Sequence, residues 1–152
     1  MRELSPGQLN IRRMTLEDLP RVMAIEQVAF SNPWSYEMVK KELSHDWSTV
    51  LLAELGDELL GFAIFWLVVD ELHVLNVATA HAHRRKGVAK TVMQAALDVG
   101  AAHRCRIATL EVRRGNQGAI ALYSGLGFKP VGMRPAYYSD DREDAILMVK
   151  DF

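Results

Sequence analysis

Two spacings of apolar residues alternate along the chain. Leu19, Val22, Met23, Glu26 and Phe30 recur every three or four positions, which predicts a helix ending near Ala29. Thr15 and Asp18 are both candidate caps. Pro20 is tolerated only in a first helical turn, which favours Asp18. After the loop Ser31-Asn32-Pro33-Trp34, Ser35 caps a short second helix to about Leu43. Thr49–Leu55 and Leu59–Val69 are apolar, strand-length runs around Gly56-Asp57, a pair suited to a tight hairpin turn. Further strands are expected at Gln8–Arg13, Leu72–Thr79, Ile107–Val112, Lys129–Tyr138 and Asp144–Val149, the last two joined by the polar turn Ser139–Arg142.

The clearest helix runs from Gly87 to about Ala102, with Val88, Val92, Ala95, Ala96 and Val99 as its apolar stripe. A shorter one runs from Gln117 to Ser124 and is ended by Gly125 or Gly127. Ile107–Val112 reads as an interior strand covered on both faces. The resulting order, β-α-α-β-β-β-α-β-α-β-β, predicts an α/β fold: a mixed sheet with helices on both faces. It lacks the regular alternation of a doubly wound nucleotide fold.

Composition narrows this further. The 152 residues suit a single domain, 1–152, with no repeat or linker, burying roughly 70% of its unfolded surface. An apolar fraction of 49% and a charged fraction of 24% exclude disorder and low complexity. Lys and Arg number 18 against 19 Asp and Glu, so nothing marks a dedicated nucleic-acid binder. Cys105 is the single cysteine, which rules out an intrachain disulfide and argues against a thiolate zinc site. His73, His81 and His83 lack a carboxylate or thiolate to complete a ligand set, so no metal is expected. Met1–Asn10 has no apolar signal core, and Leu59–Val69 falls short of the roughly 20 residues that span a bilayer. The expectation is a cytoplasmic protein without a membrane partner.

Chemistry concentrates between Asn76 and Lys90, where a strand enters a basic loop and the loop enters a helix. A helix start offers unpaired N–H groups and a positive dipole end. Gly87 permits close approach to the backbone, and Arg84, Arg85, Lys86 and Lys90 add positive charge. A diphosphate is the natural ligand. A solvated basic turn before an ordinary helix is the competing reading. The spellings Gly-x-x-x-x-Gly-Lys-Ser/Thr and Gly-x-Gly-x-x-Gly are both absent.

Arg84-x-x-Gly87-x-Ala89 resembles the coenzyme A pyrophosphate signature of the GNAT N-acetyltransferases. Leu110-Glu111-Val112-Arg113, Asn116, Ala119-Ile120-Ala121-Leu122-Tyr123 and Leu126-Gly127-Phe128 extend the resemblance. So do Ile25-Glu26, Asn32-Pro33-Trp34-Ser35, Arg134, Tyr137-Tyr138 and Arg142 to Met148. Together they are similar to the RimI branch, the ribosomal-protein alanine N-acetyltransferases. Ala80-His81 departs from the common Asp-Pro, Ala89 from the commoner Gly, and Ser31-Asn32 from an apolar residue before Pro-Trp.

The resemblance implies a GNAT fold with two parallel strands, Leu72–Thr79 and Ile107–Val112, splayed apart. It implies acetyl-CoA as co-substrate, with the pantetheine arm bonded to the backbone of Val77 and Thr79, on either side of Ala78. Arg84, Arg85, Lys86, Gly87, Val88, Ala89 and Lys90 would surround the pyrophosphate. Asn116 would bond the pantetheine or thioester end, a role compatible with capping the following helix. Glu111 is implied as general base, against the alternative of a salt bridge with Arg113 or another cation. Tyr123 is implied as general acid, against the alternative of core packing at the spacing of Ile120 and Leu126. Trp34, Tyr137 and Tyr138 would line the substrate groove, or in the case of the tyrosines simply end a strand. Glu71 and His73 are alternative bases.

The implied reaction is direct acetyl transfer to a protein N-terminal α-amine, in particular the N-terminal alanine of a small-subunit ribosomal protein. The alternatives are transfer to a lysine side chain or small amine, and a catalytically silent acyl-CoA-binding module.

Overall fold

The structure is a computed structural model that describes Leu4 and residues 6–152; the expectation for Met1–Asn10 therefore lies partly outside the described residues. Seven strands form one sheet: β1 (Asn10–Arg13), β2 (Ser48–Leu55), β3 (Glu58–Val68), β4 (Glu71–Thr79), β5 (Ile107–Arg113), β6 (Lys129–Arg134) and β7 (Ala145–Asp151). Their spatial order is β1-β2-β3-β4-β5-β7-β6, with β4 and β5 the parallel pair and every other pairing antiparallel. Four α-helices, α1 (Leu19–Ala29), α2 (Tyr36–Glu42), α3 (Val88–Ala102) and α4 (Gln117–Gly125), cover the two faces.

Each face has its own core. Val88, Val92, Met93, Ala96 and Leu97 of α3 pack with Leu60, Ala63, Phe65, Leu72, Leu110 and Phe128 on one side. Leu19, Val22, Met23 and Ile25 of α1 and Val39 of α2 pack with Leu52, Phe62, Ile64 and Ala78 on the other. The buried stripe of α3 is therefore displaced from the expected one: Met93 and Leu97 lie inside, and Ala95 and Val99 at its margin. Alternation along β2 and β3 divides their apolar runs between the two cores, which is why neither run reads as two-faced in sequence.

Several boundaries differ from expectation for local reasons. Pro6–Gln8 forms a 3-10 turn, so the first strand begins at Asn10. Asp18 is not a free cap. It closes a turn begun by Thr15, accepting from the Thr15 N–H at 2.8 Å, and binds Arg12 and Arg21 at 2.7 Å each. Glu54 joins the same pair of arginines, so both carboxylates are held below their usual pKa, each chiefly by its bond to Arg12. Val69 leaves the β3 run: it occupies the left-handed region at φ 55 and is 95% exposed at the turn into β4. β6 stops at Arg134 rather than Tyr138, because Pro135 has no N–H to donate and Ala136 is left-handed at φ 50. Tyr137 and Tyr138 consequently belong to a loop, not a strand.

β5 is not covered on both faces as expected. Ala108, Leu110 and Val112 are buried, whereas Ile107, Thr109, Glu111 and Arg113 face a half-open side.

Candidate active site

Pairing between β4 and β5 lasts three residues, Glu71 to His73 against Ile107 to Thr109. β4 then continues to Thr79 and β5 to Arg113 with no further ladder between them. A bulge opens on β4 at the same level: Ile64 is opposite Asn76 and Phe65 opposite Val74, leaving Leu75 as the extra residue. The strands diverge into a V, and main-chain groups along its inner edges have no strand partner.

A cavity of about 630 Å³ fills the V, a size suited to a cofactor arm or small ligand. Val74 to Val77 form one wall and Leu110 to Arg113 the other. Asn116, Ala119 and Tyr123 close one side; Glu26, Pro33, Trp34 and Met38 close the opposite side, with Tyr138 at the rim.

Of the residues expected at the site, Val77, Glu111, Asn116, Tyr123, Trp34 and Tyr138 meet in this cavity. Tyr137 stands beside it, where burial, then the charge of Glu111 and a side-chain hydrogen bond to that carboxylate, raise its phenol pKa. Ala78 is 4% exposed in the core beneath α1 and pairs with Phe62 of β3, so it does not line the cavity. Glu71 and His73 do not reach the cavity: they bond each other at 2.8 Å at the closed end of the V, where Arg106 also binds Glu71. His83 bonds Glu58 and Lys86 instead of a histidine partner. Cys105 is buried in the α3-side core, where desolvation raises its thiol pKa.

Glu111 does not pair with Arg113 but does form a long ion pair with another cation, Arg134. Arg113 binds Asp140 at 2.8 Å and Asp141 at 2.9 Å and stacks over the Tyr138 ring at 4.0 Å. One oxygen of Glu111 stands 3.6 Å from Arg134 Nε; the other, Oε2, is buried without a hydrogen-bond partner. An orphaned buried carboxylate oxygen is costly.

Tyr123 serves both readings at once. Its ring packs edge-on to Phe128 with centroids 6.1 Å apart, while the residue lines the cavity. Burial, with a smaller contribution from Tyr138, pushes its phenol pKa up to about 12. Asn116 caps α4, accepting from the Ala119 N–H at 3.1 Å, and still lines the cavity.

The basic loop lies where β4 gives way to α3. Gly87 is the residue before α3, at φ 83, and no side chain caps the helix. The first N–H groups of α3 are thus free of a capping partner. Arg85 is also left-handed, at φ 63. Behind the loop, Leu4 N–H bonds Lys86 O at 2.8 Å. Beneath it, a Cβ on Gly61 would come within 2.8 Å of Val88 and of Ala78 O, so this glycine lets α3 begin close to the sheet. Val88 is buried and offers only its main chain, while the side chains of Arg84, Arg85 and Lys90 are exposed. This arrangement fits a diphosphate. Gly87→Val should cost about 1–2 kcal/mol in the left-handed region and weaken acetyl-CoA binding by roughly tenfold or more. Calorimetry tests this; an unchanged affinity at an unchanged melting temperature would contradict the assignment.

Three features escaped the sequence. Glu26, fully buried on α1, accepts from Trp34 N–H and from Asn76. Asn76 lines the cavity at the bulge. Ser31 bonds Asp140 across 109 residues, tying the loop before α2 to the loop after β6. Glu26 alone left a signal, a carboxylate at an inward position of an apolar stripe.

A family model described as the acetyltransferase (GNAT) family matches residues 19–128. The chain is 34% identical over 140 residues to the [ribosomal protein bS18]-alanine N-acetyltransferase of Escherichia coli K12, covering 91% of this chain and 94% of that protein. It is 29% identical to an N-alpha-acetyltransferase of Sulfurisphaera tokodaii, covering 93% and 92%. The crystal structure of the E. coli ribosomal-protein-S18-alanine N-acetyltransferase superposes with a TM-score of 0.88 at 31% identity, covering 94% of this chain and 93% of that one. The V-shaped opening between β4 and β5, the uncapped start of α3 and these matches agree: the chain belongs to the GNAT family of acetyltransferases.

Proposed function

We infer that this enzyme transfers the acetyl group of acetyl-CoA to the N-terminal α-amine of a protein beginning with alanine, a ribosomal protein in particular. The observation that carries the reading is the meeting, in one cavity between splayed strands, of an unpartnered carboxylate oxygen on Glu111 and a buried phenol on Tyr123. The substrate classes named for the E. coli relatives support the choice of amine.

Acetyl-CoA supplies the activated thioester. Free N–H groups from Arg85 to Lys90 hold its pyrophosphate, and the unpaired main chain of Val77 and Thr79 holds the pantetheine arm. Asn116 bonds the arm near its acyl end. N–H groups of β4 near Val77 polarise the acetyl carbonyl. Glu111 takes a proton from the amine, and Tyr123 donates to the departing sulfur. Transfer is direct, and Cys105, buried in the α3-side core, plays no part.

The raised phenol pKa sharpens the role of Tyr123. A free thiol has a pKa near 8.5, so full proton transfer from a phenol at about 12 is uphill by about 5 kcal/mol before the thiolate's own desolvation is counted. Tyr123 therefore acts first as a hydrogen-bond donor to developing charge on sulfur, with the proton moving late. The phenol stays protonated across the neutral range, as a donor must.

The test compares acetyl incorporation into a peptide starting with Ala and into the same peptide with its α-amine formylated. The formylated peptide should be inert. Comparable incorporation into both would overturn the α-amine reading.

A further inference from the structure

We propose that Asn76 is a substrate-contacting residue whose side-chain carbonyl receives the attacking amine, and that Glu26 is the positioning residue that aims it. The inference rests on the amine-acetylating reading above.

Glu26 is 0% exposed and no cation stands against it among the described residues; burial raises its carboxyl pKa, and the hydrogen bonds from Trp34 and Asn76 oppose that rise. Both of its oxygens accept: Oε2 from Trp34 N–H at 2.9 Å and Oε1 from Asn76 Nδ2 at 2.7 Å. The backbone N–H is a donor whatever happens, so it fixes one oxygen as an acceptor. The carboxylate then orients the Asn76 amide, whose NH₂ group must face it. Asn76 is 8% exposed and lines the cavity at the β4 bulge. With Nδ2 spent on Glu26, Oδ1 is left without a partner among the described residues. Oδ1 is not one of the buried unpartnered atoms, so it is open to the cavity that the residue lines.

Glu111 Oε2 is a second unpartnered acceptor on the same cavity. Two open acceptor atoms, Asn76 Oδ1 and Glu111 Oε2, suit a group rich in N–H. A neutral amine carries two N–H bonds and one lone pair. Held by Asn76 Oδ1 through one N–H and by Glu111 through the other, its lone pair is left free for the acetyl carbonyl. When attack gives the nitrogen a positive charge, Glu111 removes one proton and Asn76 keeps hold of the remaining N–H. Glu26 stands at the cavity wall with both oxygens already occupied by the groups it binds. It acts through Asn76 on one side and through the Trp34 loop on the other.

The fixed orientation of the Asn76 amide can be tested by swapping donor and acceptor. Glu26→Gln keeps the size and the acceptor for Trp34 N–H. It presents an NH₂ group to Asn76, whose amide turns over to accept and leaves its own NH₂ facing the amine. The double variant Glu26→Gln/Asn76→Asp restores the pattern: the glutamine donates to one aspartate oxygen, and the other faces the cavity. Asn76→Ala removes the acceptor outright.

Each protein is assayed on an Ala-starting peptide at saturating acetyl-CoA, with calorimetric acetyl-CoA affinity and melting temperature alongside. Asn76→Ala and Glu26→Gln should each raise the peptide KM roughly 10-fold or more, the loss expected when a polar substrate group is left unpaired. Acetyl-CoA affinity should stay at the wild-type value, which a general loss of packing would not spare. The double variant should return KM to within about threefold of wild type, a nearly complete recovery of that interaction. A wild-type peptide KM in Asn76→Ala, or a double variant no better than Glu26→Gln, overturns the proposal. The isosteric variants keep it testable if Asn76→Ala does not fold. Absence of α-amine turnover in the wild type would instead overturn the proposed function itself.

Discussion

Tyr123→Phe should slow turnover by roughly 10²- to 10⁴-fold, the range for loss of a positioned acid, while leaving acetyl-CoA affinity and the melting temperature near wild type. The ring's packing on Phe128 survives the change, because the contact is made by carbons and not by the hydroxyl. What disappears is the donor that meets negative charge on the leaving sulfur. Because the phenol pKa is pushed up to about 12, no loss of rate from Tyr123 ionisation should appear in wild type below about pH 11. Single-turnover kinetics with pre-bound acetyl-CoA isolates the chemical step. Near-native turnover in this variant would reduce Tyr123 to a core residue.

Glu111→Gln should lower turnover by roughly 10²-fold or more at neutral pH and recover partly as pH rises. The sign follows from the amine. An N-terminal amine with pKa near 7.8 is roughly 15% neutral at pH 7, against about 0.04% for a lysine near 10.4. As pH climbs, more amine arrives already deprotonated, and less is asked of Glu111 before attack. Its substitution is also structurally mild: the nearest cation, Arg134, is 3.6 Å away and more than half exposed, so no tight ion pair is broken. A pH–rate profile unchanged by the substitution would remove Glu111 as base. Glu71 and His73 would not inherit the role, since they pair with each other at the closed end of the V.

Much of this site was legible because its parts are local. The basic loop, Gly87 and the start of α3 fall within one short stretch, and a left-handed residue before an uncapped helix is what glycine at that position permits. Glu111 stood out as a carboxylate in an apolar strand, and Asn116 as a cap. The parts that were not legible depend on distant partners. Where β4 and β5 cease to pair is set by the bulge at Leu75, which no residue type announces. Arg113 could equally have paired with Glu111; the loop after β6 brings Asp140 and Asp141 to it instead. That loop in turn exists because Pro135 and Ala136 end β6 early. Asn76 looked like any polar residue in a strand. Only its contact with Glu26, 50 positions away, shows which of its amide atoms is left for the cavity.

The most direct measurement uses one peptide that begins with Ala and carries an internal lysine, incubated with the enzyme and acetyl-CoA across pH 6 to 9. Fragmentation mass spectrometry then locates the acetyl group. Acetate is expected on the α-amine in large excess over the lysine side chain at neutral pH, and Glu111→Gln and Tyr123→Phe are expected to lower the rate without changing the site. Acetate found mainly on the lysine nitrogen would contradict the α-amine reading, leaving the GNAT fold in place and the choice of substrate wrong.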